Sequence, residues 1–476
     1  MKKKTELKAF LIASTILHFT FYTLHSYAAT INQVIVRQQW PWSKDVKVEY
    51  SLTGVDASHP VDLTVTAYNG DTPLTIANPQ ESIKGDLYGI TEEFGEFYID
   101  PVAAFGSERI AMTKFKVKLV VSDSAANVNE VLYKIFCLTN SNEEVVNVTR
   151  ADFLNGKYGA YETDFGRIGS GFNTTLDDVL IWTDVTNNPA YKTTHLVMRK
   201  VSAKDVLWKI GSPLTEFGRE ADSATYYRAE TQHIVKVTYD YFIGVFEVTQ
   251  RQYEHIMDSN PSQFQSDADA SHHPVEQVSY ATMRGGRDSS ANGEKICWPT
   301  NSYRHLVSNG SFCGKLRTKF GVDFDLPTEA MWEFACRAGT TNSLYSGRQL
   351  VNYQDGPSNE IAWNSGNAGG KTHGVGLKKP NAFGLYDMCG NVMEQCLDWS
   401  INDINVNHVA DPLVNPDGGN VPPTTRYARQ VRGSCYSYSY KACRPAFRGP
   451  GSWADDGCSS LFGFRLAIPV AASWED

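Results

Sequence analysis

The sequence predicts an α+β chain, with an N-terminal antiparallel β-sandwich followed by an irregular, loop-rich domain holding few helices. Three observations carry this reading. From Ile31 to about Val145, apolar and polar residues alternate with period two. From about Val197 onward, short apolar runs and two helical stripes stand among long segments rich in Gly, Asn and aromatic residues. The 476 residues, 42% of them apolar, supply more than one core of ordinary size.

Residues 1–28 read as an export signal. Lys2, Lys3 and Lys4 precede an apolar stretch from Ala9 to Leu24, and Ser26-Tyr27-Ala28 places small residues where a signal peptidase reads them. Cleavage is expected after Ala28, with an uncleaved anchor as the alternative because the stretch approaches spanning length. No later stretch is apolar enough to span a bilayer. The mature chain is expected outside the cytoplasm (periplasmic, cell-surface or extracellular) with no membrane span.

Residues 29–145 form the expected sandwich. Val46, Val48, Tyr50 and Leu52 alternate with polar neighbours, as do Val61, Leu63, Val65 and Ala67, and Phe115, Val117 and Leu119. Asn69-Gly70-Asp71 is a turn signal between such runs. Adhesion or spacing suits a module without an acid–base cluster. Residues 146–196, rich in Gly, Asn and Thr, read as a connector, and residues 197–470 as the second domain. In that domain Thr328 caps a helix whose stripe is Met331, Phe334, Ala335 and Ala338, with Gly339 as the stop. A second helix is expected over residues 250–257.

The net charge of −9 is spread without a basic stripe, which excludes a nucleic-acid partner. Of nine cysteines, only Cys137 lies in the N-terminal half, and the other eight fall between Cys297 and Cys458. An oxidising compartment permits bridges there, but the spacing leaves their pairing open. Neither a pair of CxxC motifs nor a helically spaced His pair points to structural zinc.

The second domain carries an ordered series of motifs. Ile210-Gly211-Ser212-Pro213 is followed by Phe242-Ile243-Gly244-Val245-Phe246-Glu247-Val248-Thr249-Gln250, Asn260-Pro261-Ser262 and Pro274 to Ser279. Then come Leu326-Pro327-Thr328-Glu329 through Gly339, Pro380-Asn381-Ala382-Phe383-Gly384-Leu385-Tyr386-Asp387-Met388 and Gly390-Asn391-Val392-Met393-Glu394. Arg432-Gly433-Ser434, Arg444 with Arg448, and Gly463-Phe464-Arg465-Leu466 complete the series. Across roughly residues 197–468 this order resembles the formylglycine-generating enzyme (sulfatase-modifying factor) family. The resemblance implies a variant of the C-type-lectin-like fold, held by bound calcium and buried polar contacts.

The same resemblance implies a calcium loop over residues 387–394. Its ligands would be Asp387, the carbonyls of Gly390 and Val392, and Glu394, hard oxygens on a wrapping loop. The alternative is that Glu394 pairs with an arginine such as Arg465. Met393 and Gln395 depart from the family pattern, which has tryptophans flanking the glutamate. Asn364 is the one candidate for the family's other calcium site.

In the family's aerobic oxidase, two nearby cysteines bind copper(I), activate oxygen and convert a substrate cysteine in a sulfatase precursor to formylglycine. Copper(I) needs converging thiolates with room for the substrate thiol. Anchoring on Arg444 and Arg448 puts Tyr440 at one catalytic cysteine's position. Cys435 falls at the other's offset if the preceding turn is shortened. A gap-free alignment instead has Cys435 replace a serine and Tyr436 a tryptophan. Either way the pair is incomplete, and Cys435 is the catalytic candidate that remains. Cys435, Cys443 and Cys458 form a substitute set whose other readings are a structural disulfide or buried thiols. Tyr436, Tyr438, Tyr440 and Trp453, spaced by serines, have the composition of a binding loop, with core packing as the alternative. The expectation is an exported family member acting as a binding module for a protein or glycan. The alternative is a formylglycine-generating oxidase of sulfatase precursors.

Overall fold

The computed structural model describes residues 29–38, 43–77, 82–106, 114–124, 128–139, 145–164, 179–219, 230–285, 307–352, 355–400, 413–415, 428–453 and 456–470. The expected export signal, residues 1–28, lies outside them. The chain divides into two compact units, at Ser124 and Ala125. Among the described residues no helix is long and apolar enough to cross a membrane.

The first unit is a sandwich of two antiparallel sheets. One runs Thr30–Gln38, Val46–Thr53, Phe94–Ile99, Ile83–Lys84 in spatial order, and the other Thr72–Leu74, Val61–Asn69, Phe115–Asp123. The period-two residues Val46, Val48, Leu52, Val61, Leu63, Ala67, Phe115 and Leu119 face inward into one shared core. Asn69 pairs with Thr72 across a two-residue turn in which Gly70 takes φ 64°, a conformation that costs glycine little.

The sandwich ends earlier than the expected boundary at residue 145. Val131–Cys137 and Val145–Thr149 belong to the second unit, in a five-stranded antiparallel sheet. Its order is Ala467–Pro469, Tyr241–Gly244, His195–Val201, Val131–Cys137, Val145–Thr149. Alternation announces a strand but not its sheet, and Phe136 packs on Phe320 and Phe324 of the second unit. The expected connector is likewise built structure. It contains most of strand Val145–Thr149, the hairpin Tyr161–Asp164 with Val179–Trp182, and the rings of Phe153 and Trp182, which pack on Tyr133 of the sheet.

Both expected helices are present. Gln250–Met257 is capped by Thr249 in a capping box with Gln252. Glu329–Arg337 is capped by Thr328, whose Oγ1 accepts from Met331 N. This helix stops at Ala338, in the left-handed region, one residue before the expected Gly339. A third helix, Phe312–Phe320, packs Phe312 flat against Tyr253. A second sheet, ordered Ser452–Trp453, Ala428–Arg432, Met393–Trp399, Phe462–Gly463, brings the C-terminal motifs beside Glu329–Arg337.

Candidate functional site

The motifs meet through buried ion pairs. On Glu329–Arg337, Glu329 accepts from Arg448 Nε at 2.6 Å, and Glu333 pairs with both Arg337 and Arg432. Gly211 N donates to Glu333 Oε1 at 2.8 Å and its carbonyl accepts from Arg337, which seats the Ile210-Gly211-Ser212 motif against the helix. Gly211 takes φ 84°, and a Cβ there would lie 2.5 Å from the Glu230 carbonyl, so both its conformation and its packing require glycine. Arg444 binds both oxygens of Glu230, at 2.8 and 2.7 Å, and Glu216 at 2.7 Å. Buried charges of this kind persist only when paired and hydrogen-bonded.

The 387–394 loop folds back on the helix. Asn381 donates to the carbonyls of Ala335 and Cys336 while accepting from Phe383 N and Leu385 N, so it ends the helix and starts the loop. Glu394 is fully buried; Arg465 donates to both its oxygens, and Trp332 Nε1 donates to Oε2 at 2.7 Å. Asp387 Oδ2 accepts from Gly376 N at 2.7 Å, whereas its buried Oδ1 has no hydrogen-bond partner among the described residues. Burial pushes the Asp387 carboxyl up to about 6. Gly390 lies so close to Trp363 that a Cβ would fall 2.5 Å from its carbonyl oxygen.

Glu247 is a third buried carboxyl here, one without a role among the sequence expectations. Its oxygens accept from Val392 N at 3.1 Å and Asn391 Nδ2 at 2.8 Å. Burial, then the neighbouring Asp387 and Glu394, hold its pKa well above the ordinary carboxylate range. An acid inside the apolar run of residues 242–248 was the available signal.

The 434–448 segment carries the oxidase and binding candidates. Cys435 and Cys443 are fully buried, and burial pushes each thiol up to about 12. Cys458 is exposed. Tyr436 packs edge-on against Phe264 and shares a hydrogen bond with Ser460 Oγ at 3.1 Å. Tyr438 packs on Phe447, and half-buried Tyr440 packs on the main core. Ser437, Ser439 and Lys441 are the exposed residues of the segment. Trp453 pairs with Ala428 through its backbone, and its side chain lies outside the described residues. Of the tyrosines of the expected binding loop, Tyr436 is buried in packing, whereas Tyr438 and Tyr440 stay half-buried.

Two further groups stand nearby in sequence. Asp267, Asp269 and His273 bring three ligand atoms within 4.8 Å, with Asp267 tied to Lys371 and His273 to Asp269. Glu276 is fully buried; its Oε1 accepts from Gln263 N and Phe264 N, while Oε2 has no hydrogen-bond partner among the described residues.

Residues 202–470, more than half of the chain, match the model of the sulfatase-modifying factor enzyme 1-like domain. The chain belongs to this family. Similar curated proteins include the chaperone protein LppX of Paenibacillus barcinonensis, 31% identical over 186 residues, covering 34% of this chain and 62% of that protein. The formylglycine-generating enzyme of Mus musculus is 34% identical over 162 residues, covering 31% of this chain and 40% of the enzyme. That of Streptomyces coelicolor is 33% identical over 152 residues, covering 30% and 46%. The chain thus spans less than two thirds of the length of these relatives. Among solved structures, Treponema denticola variable protein 1 is 25% identical, with a TM-score of 0.43, covering 58% of this chain and 96% of that one.

Within the family frame, the arginines of the C-terminal motifs are structural ties, since Arg432, Arg444, Arg448 and Arg465 each pair with a buried carboxylate. Of the two expected calcium side chains, Glu394 spends both oxygens on Arg465 and Trp332, the arrangement weighed against calcium. Val392 touches the site through its N–H, donated to Glu247.

Proposed function

We propose that the family domain of this chain serves as a binding module for a protein or glycan rather than as a formylglycine-generating oxidase. One observation carries this reading: the segment aligned with the copper cysteines holds Tyr440 at one position, while its thiols Cys435 and Cys443 are sealed in the core. Copper(I) needs two converging thiols with room beside them for a substrate thiol, and the fully buried Cys435 and Cys443 present no open face for one. These residues do not fit a copper(I) site. The same reading treats the 387–394 loop as held by the Glu394–Arg465 pair instead of calcium, and residues 1–28 as the element that exports the protein.

The test is to incubate the purified protein with copper(I), oxygen and a cysteine peptide carrying the sulfatase consensus. Mass spectrometry then looks for conversion of thiol to aldehyde. No conversion is expected; turnover that disappears in Cys435→Ser would overturn the proposal in favour of the oxidase.

A further inference from the structure

We propose that Cys336 and Cys389 close into a disulfide that fastens the 387–394 loop to the helix Glu329–Arg337. Their sulfurs stand 3.6 Å apart across 53 positions of sequence, and both residues are fully buried. A bonded pair lies at about 2.0 Å, so about 1.6 Å of approach remains. The two segments are already held in register on either side of the pair. Asn381 donates to the Cys336 carbonyl at 3.0 Å, and Trp332 donates to Glu394 at 2.7 Å.

Two other thiols stand near enough to compete. Cys443 neighbours Cys389, and Cys435 neighbours Cys443. Cys336 is favoured because it alone has its sulfur within contact distance of Cys389 among the described residues.

Both thiols are fully buried, out of reach of an external oxidant once the core has closed. The bond therefore forms during folding, with a low-molecular-weight disulfide or a disulfide-bearing thiol oxidoreductase as oxidant. One cysteine thiolate attacks the external disulfide, giving a mixed disulfide and releasing one thiol. The second thiolate then displaces the other, so two protons leave the cysteines and the oxidant is reduced to two thiols. A disulfide closing a loop of this length restricts the unfolded chain, and the oxidised protein is expected to unfold at higher denaturant concentration than the reduced one.

The experiment refolds the full chain in a reduced/oxidised glutathione buffer, alkylates remaining thiols, digests without reduction and maps the peptides by mass spectrometry. The expected result is a cross-linked pair containing Cys336 and Cys389, two hydrogens lighter than the sum of its parts. The pair persists in Cys443→Ser, and Cys336 becomes alkylated in Cys389→Ser. If that second variant fails to fold, the wild-type map still decides. Alkylation of both Cys336 and Cys389 in the wild type, or Cys389 joined to any other cysteine, would overturn the proposal.

Discussion

Arg444 and Glu230 form a two-point ion pair, at 2.7 and 2.8 Å, between residues 214 positions apart. Both are almost wholly removed from solvent, and Arg444 also reaches Glu216 and the Gly218 carbonyl. Arg444→Ala leaves two carboxylates buried without their cation, and a loss of roughly 3–5 kcal/mol in unfolding free energy is expected. Glu230→Gln should cost less, since Arg444 keeps Glu216. Denaturant titration of the two variants checks the order.

Arg465 gives a parallel prediction with a metal control. If its pair with Glu394 holds the loop, calcium or a chelator leaves the melting temperature of the wild type unchanged. Arg465→Met should lower stability by about 3–5 kcal/mol. A calcium-dependent rise in the wild-type melting temperature would return the loop to the calcium reading.

Gly390→Ala tests close approach. The added methyl meets the Trp363 backbone, with its nitrogen at 2.6 Å, and backbone cannot swing aside as a side chain can. A loss of about 1–3 kcal/mol follows from the overpacking. Gly356→Ala, at a position with open space around it, is the neutral control.

The pH dependence follows from Glu276, whose carboxyl burial raises to about 7. Between its unfolded value near 4.5 and that folded value, the native state holds a proton that the unfolded state has released. Stability therefore falls as pH rises from about 4.5 to about 7 and is flat above for this group. Glu276→Gln keeps a side-chain oxygen for Gln263 N and Phe264 N but cannot ionise, so it should be more stable than wild type at pH 8 and close to it at pH 4. Thermal melts across that range decide it; equal slopes for both proteins would refute the assignment.

Local signals carried further than long-range ones. Thr328 was legible as a cap because capping is decided within one turn. The inward faces of Val46–Thr53 and Val61–Asn69 were legible because one face is buried and the other is not. Phe312–Phe320 could have been found: Ser311 caps it, and Phe312, Leu316 and Phe320 recur at helical spacing. The unit boundary rests on a long-range contact: strand Val131–Cys137, apolar on both faces, pairs with a strand over 50 positions later. At the site, the sequence left Glu394 between calcium and Arg465, since a carboxylate serves either. The side chains place Arg465 on both Glu394 oxygens, and the calcium titration above decides between the two.

The ties between the C-terminal arginines and the earlier acids have a consequence for the order in which the molecule assembles. Glu230, Glu329, Glu333 and Glu394 precede Arg432, Arg444, Arg448 and Arg465 in the chain. A growing chain that has not yet reached residue 432 presents Glu230, Glu329 and Glu394 without the arginines they are buried with, while Glu333 has only Arg337. The second unit is thereby kept open until its last segment arrives, so its completion comes late in synthesis and depends on contacts of high sequence separation. A chain interrupted before those arginines should be a target for proteases and chaperones rather than a partly working domain.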